Sequence, residues 1–203
     1  MATARAVVSQ FSIDELLDLV IAWLALGVAF ALFFARGEGL RPSDLTVETF
    51  WPVFAGSLLT VGVAFLLHEL AHKVVAVHFD QVAEFRADYG MLFLAVAGGL
   101  AGFIFAAPGA VHHRGYLTER EHGLIALAGP VTNYGLAVVF LPFVAVAPDV
   151  AWRGVGINVL LAGFNMLPVG PLDGRTVLDW SRPVYVAALV PALLAGAVVL
   201  GLI

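Results

Sequence analysis

Six uncharged apolar stretches constrain the fold of this chain more than any other feature. A helix needs about 20 apolar residues to cross the roughly 30 Å hydrocarbon layer of a bilayer. The chain is 61% hydrophobic and 12% charged, which is more apolar surface than one soluble core can bury. We therefore predict an all-α polytopic membrane protein. The stretches, numbered one to six, are Leu19–Ala35, Phe50–Leu67, Met91–Val111, Gly123–Pro148, Gly154–Leu172 and Pro183–Ile203.

The composition excludes several classes of site. The net charge is −5, and no cluster of basic residues marks a groove, so we expect no nucleic-acid partner. The chain has no cysteine, which excludes disulfides, thiolate nucleophiles and cysteine-ligated metals. Any metal site must therefore use histidine and carboxylate ligands.

The run His68-Glu69-Leu70-Ala71-His72 lies at the end of stretch two, near one membrane face. Residues four apart in a helix are separated by about 40° of rotation and roughly 6 Å along the axis, so both histidines can reach one ion. Glu69 lies beside them, where a carboxylate can take a proton from a zinc-bound water with a pKa of about 7. Such a short pattern also arises by chance, but ionisable groups in an apolar helix are costly and by default functional.

A second informative run ends stretch five, from Asn165 to Gly174, and reads NMLPVGPLDG. Its two prolines and two glycines break a helix and free backbone groups, although a plain turn at the membrane surface has the same composition. Together the two runs resemble the site-2 protease family of intramembrane metalloproteases, whose pattern is HExxH on one helix and NxxPxxxxDG on a later one. Every fixed position of that pattern is present, in the same order and on two apolar segments.

This resemblance implies a set of site residues. Asp173 would be the third ligand of one zinc ion per chain, beside His68 and His72. Glu69 would take and return the proton during hydrolysis. Asn165 would steady the substrate or the oxyanion, and hydrogen bonds prepared for developing charge are a large catalytic term.

Two other segments also resemble parts of the family. A Gly-Pro pair and a polar residue in stretch four match one such part, although a helix kink with a capped asparagine is an equal alternative. The glycine-rich stretch three is similar to the family's re-entrant region, where an extended edge can pair with an unwound substrate. The candidate substrate-binding residues are Gly129, Pro130, Asn133, Phe105, Pro108 and Gly109.

The shared metal also constrains the topology. Ligands of one ion lie at one depth, so stretches two and five must run in the same direction, and one of stretches three and four must fail to cross. Stretch three is the better candidate because non-helical backbone at membrane depth suits a buried or wet wall. We expect five spans and one re-entrant segment, or six spans if all cross. The arginine distribution then places the metal motif near the cytoplasmic face of the cell membrane.

The sequence predicts a single membrane protease domain over residues 1–203, with a catalytic core at about 50–180 and accessory spans at 19–35 and 183–203. The expected partners are the lipid bilayer and a substrate protein with a transmembrane helix. The alternative function is a zinc-binding membrane transporter or a non-catalytic membrane scaffold with the same ligands.

Overall fold

The chain is mostly helical in its computed structural model, which describes residues 10–37, 39, 44, 46–104 and 108–202. A π-helical stretch, Leu58–Gly62, joins α2 to α3, and a 3-10 turn, Leu141–Ala145, follows α5. In chain order, the other elements are α1 (Ile13–Gly37), α2 (Val47–Ser57), α3 (Val63–His78), β1 (Val82–Ala87), α4 (Tyr89–Ala101), β2 (Gly109–Arg114), α5 (Glu119–Phe140), α6 (Pro148–Asn165), α7 (Asp173–Trp180) and α8 (Arg182–Val199).

Four of the described helices are long and apolar enough to cross a membrane. They are α1, the continuous helix Val47–His78, the helix Glu119–Ala145, and α8. These helices coincide with stretches one, two, four and six, as expected for a helical membrane protein.

Stretches three and five differ from the sequence prediction. Stretch three divides into the 13-residue α4 and the strand β2, and a helix of that length extends only about 20 Å. Re-entry of this stretch stays a prediction.

Stretch five ends as a helix at Asn165 rather than Leu172, because Pro168, Pro171 and a left-handed Gly170 (φ 56°) occupy the turn that follows. Helix α6 is not among the four candidate spans, so the predicted number of spans also stays open.

The chain divides into two compact units. Of the described residues, unit A contains Gln10, Leu67–Ala83 and those from His113 onward, and unit B contains Phe11–Leu66 and Glu84–His112. Helices α5 to α8 therefore belong to unit A, and helices α1, α2 and α4 belong to unit B.

Unit A is held together by an apolar cluster that joins α5, the end of α6, α7 and α8. Met166 and Val177 are fully buried in it. The cluster's buried members are Ala126, Met166, Val177, Tyr185 and Ala188. Close packing of this kind fixes the short helix α7, which has only eight residues and would not be stable in isolation.

In unit B, two carboxylates of α1 occupy one edge of strand β1. The backbone N–H of Phe85 donates to Glu15 Oε1 at 2.9 Å, and that of Ala87 donates to Asp18 Oδ2 at 2.9 Å. Strand β2 pairs with β1 in a two-stranded sheet. The acceptors on α1 therefore satisfy N–H groups that an edge strand would otherwise expose, which blocks pairing with another strand there.

A polar contact also supports the π-helical stretch in unit B. The indole N–H of Trp23 on α1 donates to the carbonyl oxygen of Leu58 at 3.1 Å. A π-turn displaces carbonyls from the regular i→i−4 pattern, and in an apolar environment such groups need another donor. Trp23 supplies one.

Replacing Asp18 by Leu should free the backbone N–H of Ala87 and cost about 1–3 kcal/mol of stability. Hydrogen exchange followed by mass spectrometry should show faster exchange across β1, and the melting temperature in detergent should fall. Asp18→Asn keeps an acceptor oxygen and serves as the control, with a smaller effect on both quantities. Equal exchange rates in the Leu variant and the unmodified protein would contradict the capping of this edge.

Candidate metal centre

Helix α3 brings two imidazoles together on one face. His68 and His72 lie one turn apart, and their Nε2 atoms are 3.0 Å from each other. Both residues are buried, with exposed fractions of 3% and 8%. Glu69 lies on the same helix and is also buried, at 7%. The four-residue spacing of the two histidines therefore brings their side chains together inside the protein.

Asp173 reaches the same point from α7, of which it is the first residue. Its Oδ2 atom is 3.3 Å from Nε2 of His68 and 3.4 Å from Nε2 of His72. Gly174 allows this placement, because a Cβ there would lie 2.1 Å from the carbonyl oxygen of Met166. The start of α7 can thus pack directly on the backbone that follows α6.

Each histidine holds its other ring nitrogen against a carbonyl oxygen. Nδ1 of His68 is 2.6 Å from Oδ1 of Asn133, and Nδ1 of His72 is 2.7 Å from the backbone oxygen of Ile125. A carbonyl oxygen only accepts hydrogen bonds, so each Nδ1 carries the hydrogen and donates. Both Nε2 atoms then present a lone pair toward Asp173, which is the arrangement that metal-binding histidines commonly adopt.

The donor set fits a zinc ion. Two ligand atoms at usual Zn–N and Zn–O distances in tetrahedral geometry are about 3.3 Å apart, and the three separations found here are 3.0, 3.3 and 3.4 Å. Oδ2 of Asp173 is buried and has no hydrogen-bond partner among the described residues. Such an atom beside two imidazole lone pairs is costly without a cation. Within the described part of the chain, this is the one group of three or more histidine and carboxylate side chains that could hold a metal.

Gly129 lines this centre from α5. A Cβ at this position would lie 2.5 Å from Nε2 of His72 and 2.5 Å from Cε1 of His68. The backbone of α5 therefore lies directly against the imidazoles, and the next residue, Pro130, is buried. Substrate binding by Gly129, Pro130 and Asn133, which the sequence predicts, stays a prediction. What the structure shows for Gly129 and Asn133 is contact with the histidines.

The other predicted site residues lie in three different segments of the chain. Asn165 is the last residue of α6, and its side-chain amide donates to the carbonyl oxygen of Leu161 at 3.0 Å. Pro108 precedes β2, and its carbonyl oxygen accepts from the N–H of Asp88 at 2.9 Å. Gly109 is the first residue of β2. Phe105 lies outside the described residues.

Two groups that support the histidines were not predicted from the sequence. The Ile125 oxygen belongs to the backbone, and no side-chain pattern signals it. Asn158, which contacts Asn133, was detectable as a polar residue within an apolar helix.

Curated relatives support the zinc assignment. The chain is 41% identical over 180 residues to "Putative zinc metalloprotease MJ0611" of Methanocaldococcus jannaschii, covering 85% of this chain and 87% of the relative. It is 32% identical over 198 residues to "Putative zinc metalloprotease Rip2" of Mycolicibacterium smegmatis, covering 86% and 73%. It is 30% identical over 150 residues to "Putative zinc metalloprotease YwhC" of Bacillus subtilis, covering 60% and 67%.

No family model matches the chain, and no solved structure matches it significantly. The identity to the relatives extends over most of the chain. The two sequence runs and the convergence of their ligands agree with the relatives' names. The chain belongs to the site-2 protease family of zinc metalloproteases.

Proposed function

We propose that this protein is an intramembrane zinc metalloprotease that hydrolyses peptide bonds within or next to transmembrane helices of other membrane proteins. The observation that carries the proposal is the buried triangle of two imidazole nitrogens and one carboxylate oxygen, whose sides are 3.0, 3.3 and 3.4 Å. His68, His72 and Asp173 would hold one zinc ion per chain. Three protein ligands leave a fourth position for water or substrate, which distinguishes catalytic from structural zinc sites.

The chemistry divides among the chain's own residues. When bound, zinc polarises a carbonyl group and lowers the pKa of a water to about 7. Glu69 takes the proton of the attacking water and returns it to the leaving amine. The carboxylate is suited to this part because it follows His68 directly on α3 and is buried, so it is held beside the ligands and largely shielded from bulk water. Asn165 releases its bond to Leu161 and donates to the oxyanion.

The substrate must expose its peptide bond before attack. A transmembrane helix hides its backbone groups in internal hydrogen bonds, so local unwinding is required. An extended segment can then pair with a free strand edge. Glu15 and Asp18 occupy one edge of β1, and among the described residues no strand other than β1 pairs with β2. We propose β2, which begins at the predicted substrate-binding residue Gly109, as the strand with which the substrate pairs.

The proposed location of the protein is the cell membrane. Four helices that are long and apolar enough to cross a bilayer support a location in a membrane. The distribution of arginine residues between its connections favours an active site near the cytoplasmic face of the cell membrane.

Metal analysis of the purified protein should find close to one zinc per chain. Asp173→Ala removes a ligand and should reduce the zinc content to a small fraction of that value. Asp179→Ala is the matched control, because Asp179 lies on the same helix and is exposed in an ion pair with Arg175. Equal zinc content in the two variants would contradict the ligand assignment.

Replacing Glu69 by Gln should leave zinc binding intact and reduce cleavage of a single-span reporter protein by at least 10²-fold, because the amide cannot accept the proton from water. The measurement pairs zinc content with the amount of cleaved reporter. This variant also separates protease from transporter or scaffold, since metal binding alone does not need this carboxylate. Cleavage at the unmodified rate by the Gln variant would exclude the proposed general base.

Replacing Gly129 by Ala should abolish or strongly weaken zinc binding, because the added methyl group would lie 2.5 Å from Nε2 of His72. Gly135→Ala on the same helix is the control, since a Cβ at that position meets no atom within 4 Å. Zinc affinity of both variants can be measured by competition with a chromophoric chelator. An unchanged affinity in the Gly129 variant would show that α5 does not confine the metal site.

A further inference from the structure

A row of buried polar side chains connects His68 to helix α6. Nδ1 of His68 donates to Oδ1 of Asn133 at 2.6 Å, and Nδ2 of Asn133 donates to Oδ1 of Asn158 at 3.0 Å. Nδ2 of Asn158 donates to the backbone oxygen of Gly154 at 2.8 Å. Both asparagines have an exposed fraction of 0%. The row therefore runs from the metal centre on α3 through α5 to α6 with no solvent contact at either amide.

The last acceptor defines the direction of the whole row. The backbone oxygen of Gly154 can only accept, so Asn158 must direct its NH₂ group there and its oxygen toward Asn133. Asn133 must then direct its own NH₂ group toward Asn158 and its oxygen toward His68. Consequently the hydrogen of the neutral His68 ring lies on Nδ1, and Nε2 keeps the lone pair that a metal requires.

The reverse direction is costly. Turning both amides would set the oxygen of Asn158 against the carbonyl oxygen of Gly154 and the NH₂ group of Asn133 against the ring of His68. The hydrogen of the ring would then move to Nε2, which faces Asp173 Oδ2 at 3.3 Å. Both amides are fully buried, so such a mismatch would carry the full cost of burying unsatisfied polar groups.

His72 needs no such row. Its Nδ1 bonds directly to the backbone oxygen of Ile125 at 2.7 Å, and a backbone carbonyl cannot turn round as an amide side chain can. An asparagine alone could face His68 with either end, since its oxygen and its NH₂ group are nearly the same size. The two histidines thus differ in how their orientation is secured.

We propose that Asn158 is a positioning residue of the metal centre, which orients Asn133 and thereby keeps Nε2 of His68 available to zinc. This inference rests on the proposed zinc site and adds to it a residue that touches neither the metal nor the substrate. Asn158 sets the affinity for zinc from two side chains away. Metal ligands are commonly oriented in this way by the groups around them, whose loss costs about 10–100-fold in metal affinity.

A purely structural part for Asn158 makes a different prediction. The bond between Asn133 and Asn158 also joins α5 to α6, and buried polar contacts stabilise helix pairs in membranes. If this were its whole contribution, removing Asn158 would lower the melting temperature and leave zinc affinity as it was. The zinc affinity of the folded full chain therefore distinguishes a positioning role of Asn158 from a purely structural one.

The test compares Asn158→Ala and Asn158→Leu with Val159→Ala in purified full-length protein, using chelator competition for zinc affinity and thermal unfolding for stability. Val159 is a buried neighbour in the apolar cluster with Ala137 and Val155, so its truncation removes volume from the same helix without touching the polar row. We expect zinc affinity to fall about 10-fold or more in the Asn158 variants and to change less than about twofold in Val159→Ala. The Leu variant keeps the volume of the side chain, so at least one of the two substitutions avoids a cavity.

Asn133→Asp supplies the second arm of the test. A carboxylate offers His68 an acceptor oxygen whichever way it turns, so it does not need Asn158 to orient it. In this background, Asn158→Ala should change zinc affinity less than about twofold, and this non-additivity reports the coupling. Losses of the same size in both backgrounds would overturn the proposal, as would an unchanged affinity in both single Asn158 variants.

The outcomes also separate this inference from the proposed function. If the unmodified protein binds zinc and the Asn158 variants bind it equally well, Asn158 does not position His68 and the zinc site stands. If the unmodified protein binds no zinc, the proposed function fails and the inference fails with it.

Discussion

Three electron-pair donors facing one point inside an apolar protein form the constraint on which the rest of unit A depends. Nε2 of His68, Nε2 of His72 and Oδ2 of Asp173 lie 3.0–3.4 Å apart. Without a cation these atoms repel one another, because each directs a lone pair at the same point. Close packing holds them in place, since the backbone of α5 lies against the imidazoles at Gly129 and the start of α7 lies against the backbone of Met166 at Gly174. The packing of unit A thus fixes the three donors at separations that suit a zinc ion.

Membrane surroundings make the support of these ligands more demanding than in a soluble enzyme. Every polar group near the histidines has to find its partner within the protein, since the hydrocarbon layer offers none. The partner of His72 is a backbone carbonyl, whereas the partner of His68 is a row of two side-chain amides. Both solutions use α5, so this one helix confines the metal site and also sets the orientation of both its imidazole ligands.

The sequence predicted the parts of the site that depend on local periodicity. The spacing of His68 and His72 determines that they share a helix face, and the second run supplied Asp173 through the family resemblance. The helix α7 was not predicted, because its eight residues are too few to show a pattern and its stability depends on packing around Val177. Strand β1 was also not predicted. The β1 sequence VAEFRA becomes a strand through partners distant in the chain, namely β2 and the two carboxylates on α1.

The direction of the helices that bring the ligands together bears on the path of the chain through the membrane. The histidines lie in the second half of the helix Val47–His78, and Asp173 begins α7 after the turn that follows α6. If both helices run toward the same membrane face, as the sequence predicts, the chain returns once across the membrane between them. The helix Glu119–Ala145 is long enough to make that crossing.

A second crossing, by α4, would carry the start of α6 to the opposite membrane face. The 13 residues of α4 extend only about 20 Å, against a hydrocarbon layer of roughly 30 Å. On the predicted topology, in which the ligands share one depth, the segment that contains α4 leaves the membrane on the side where it entered, and this re-entry stays a prediction.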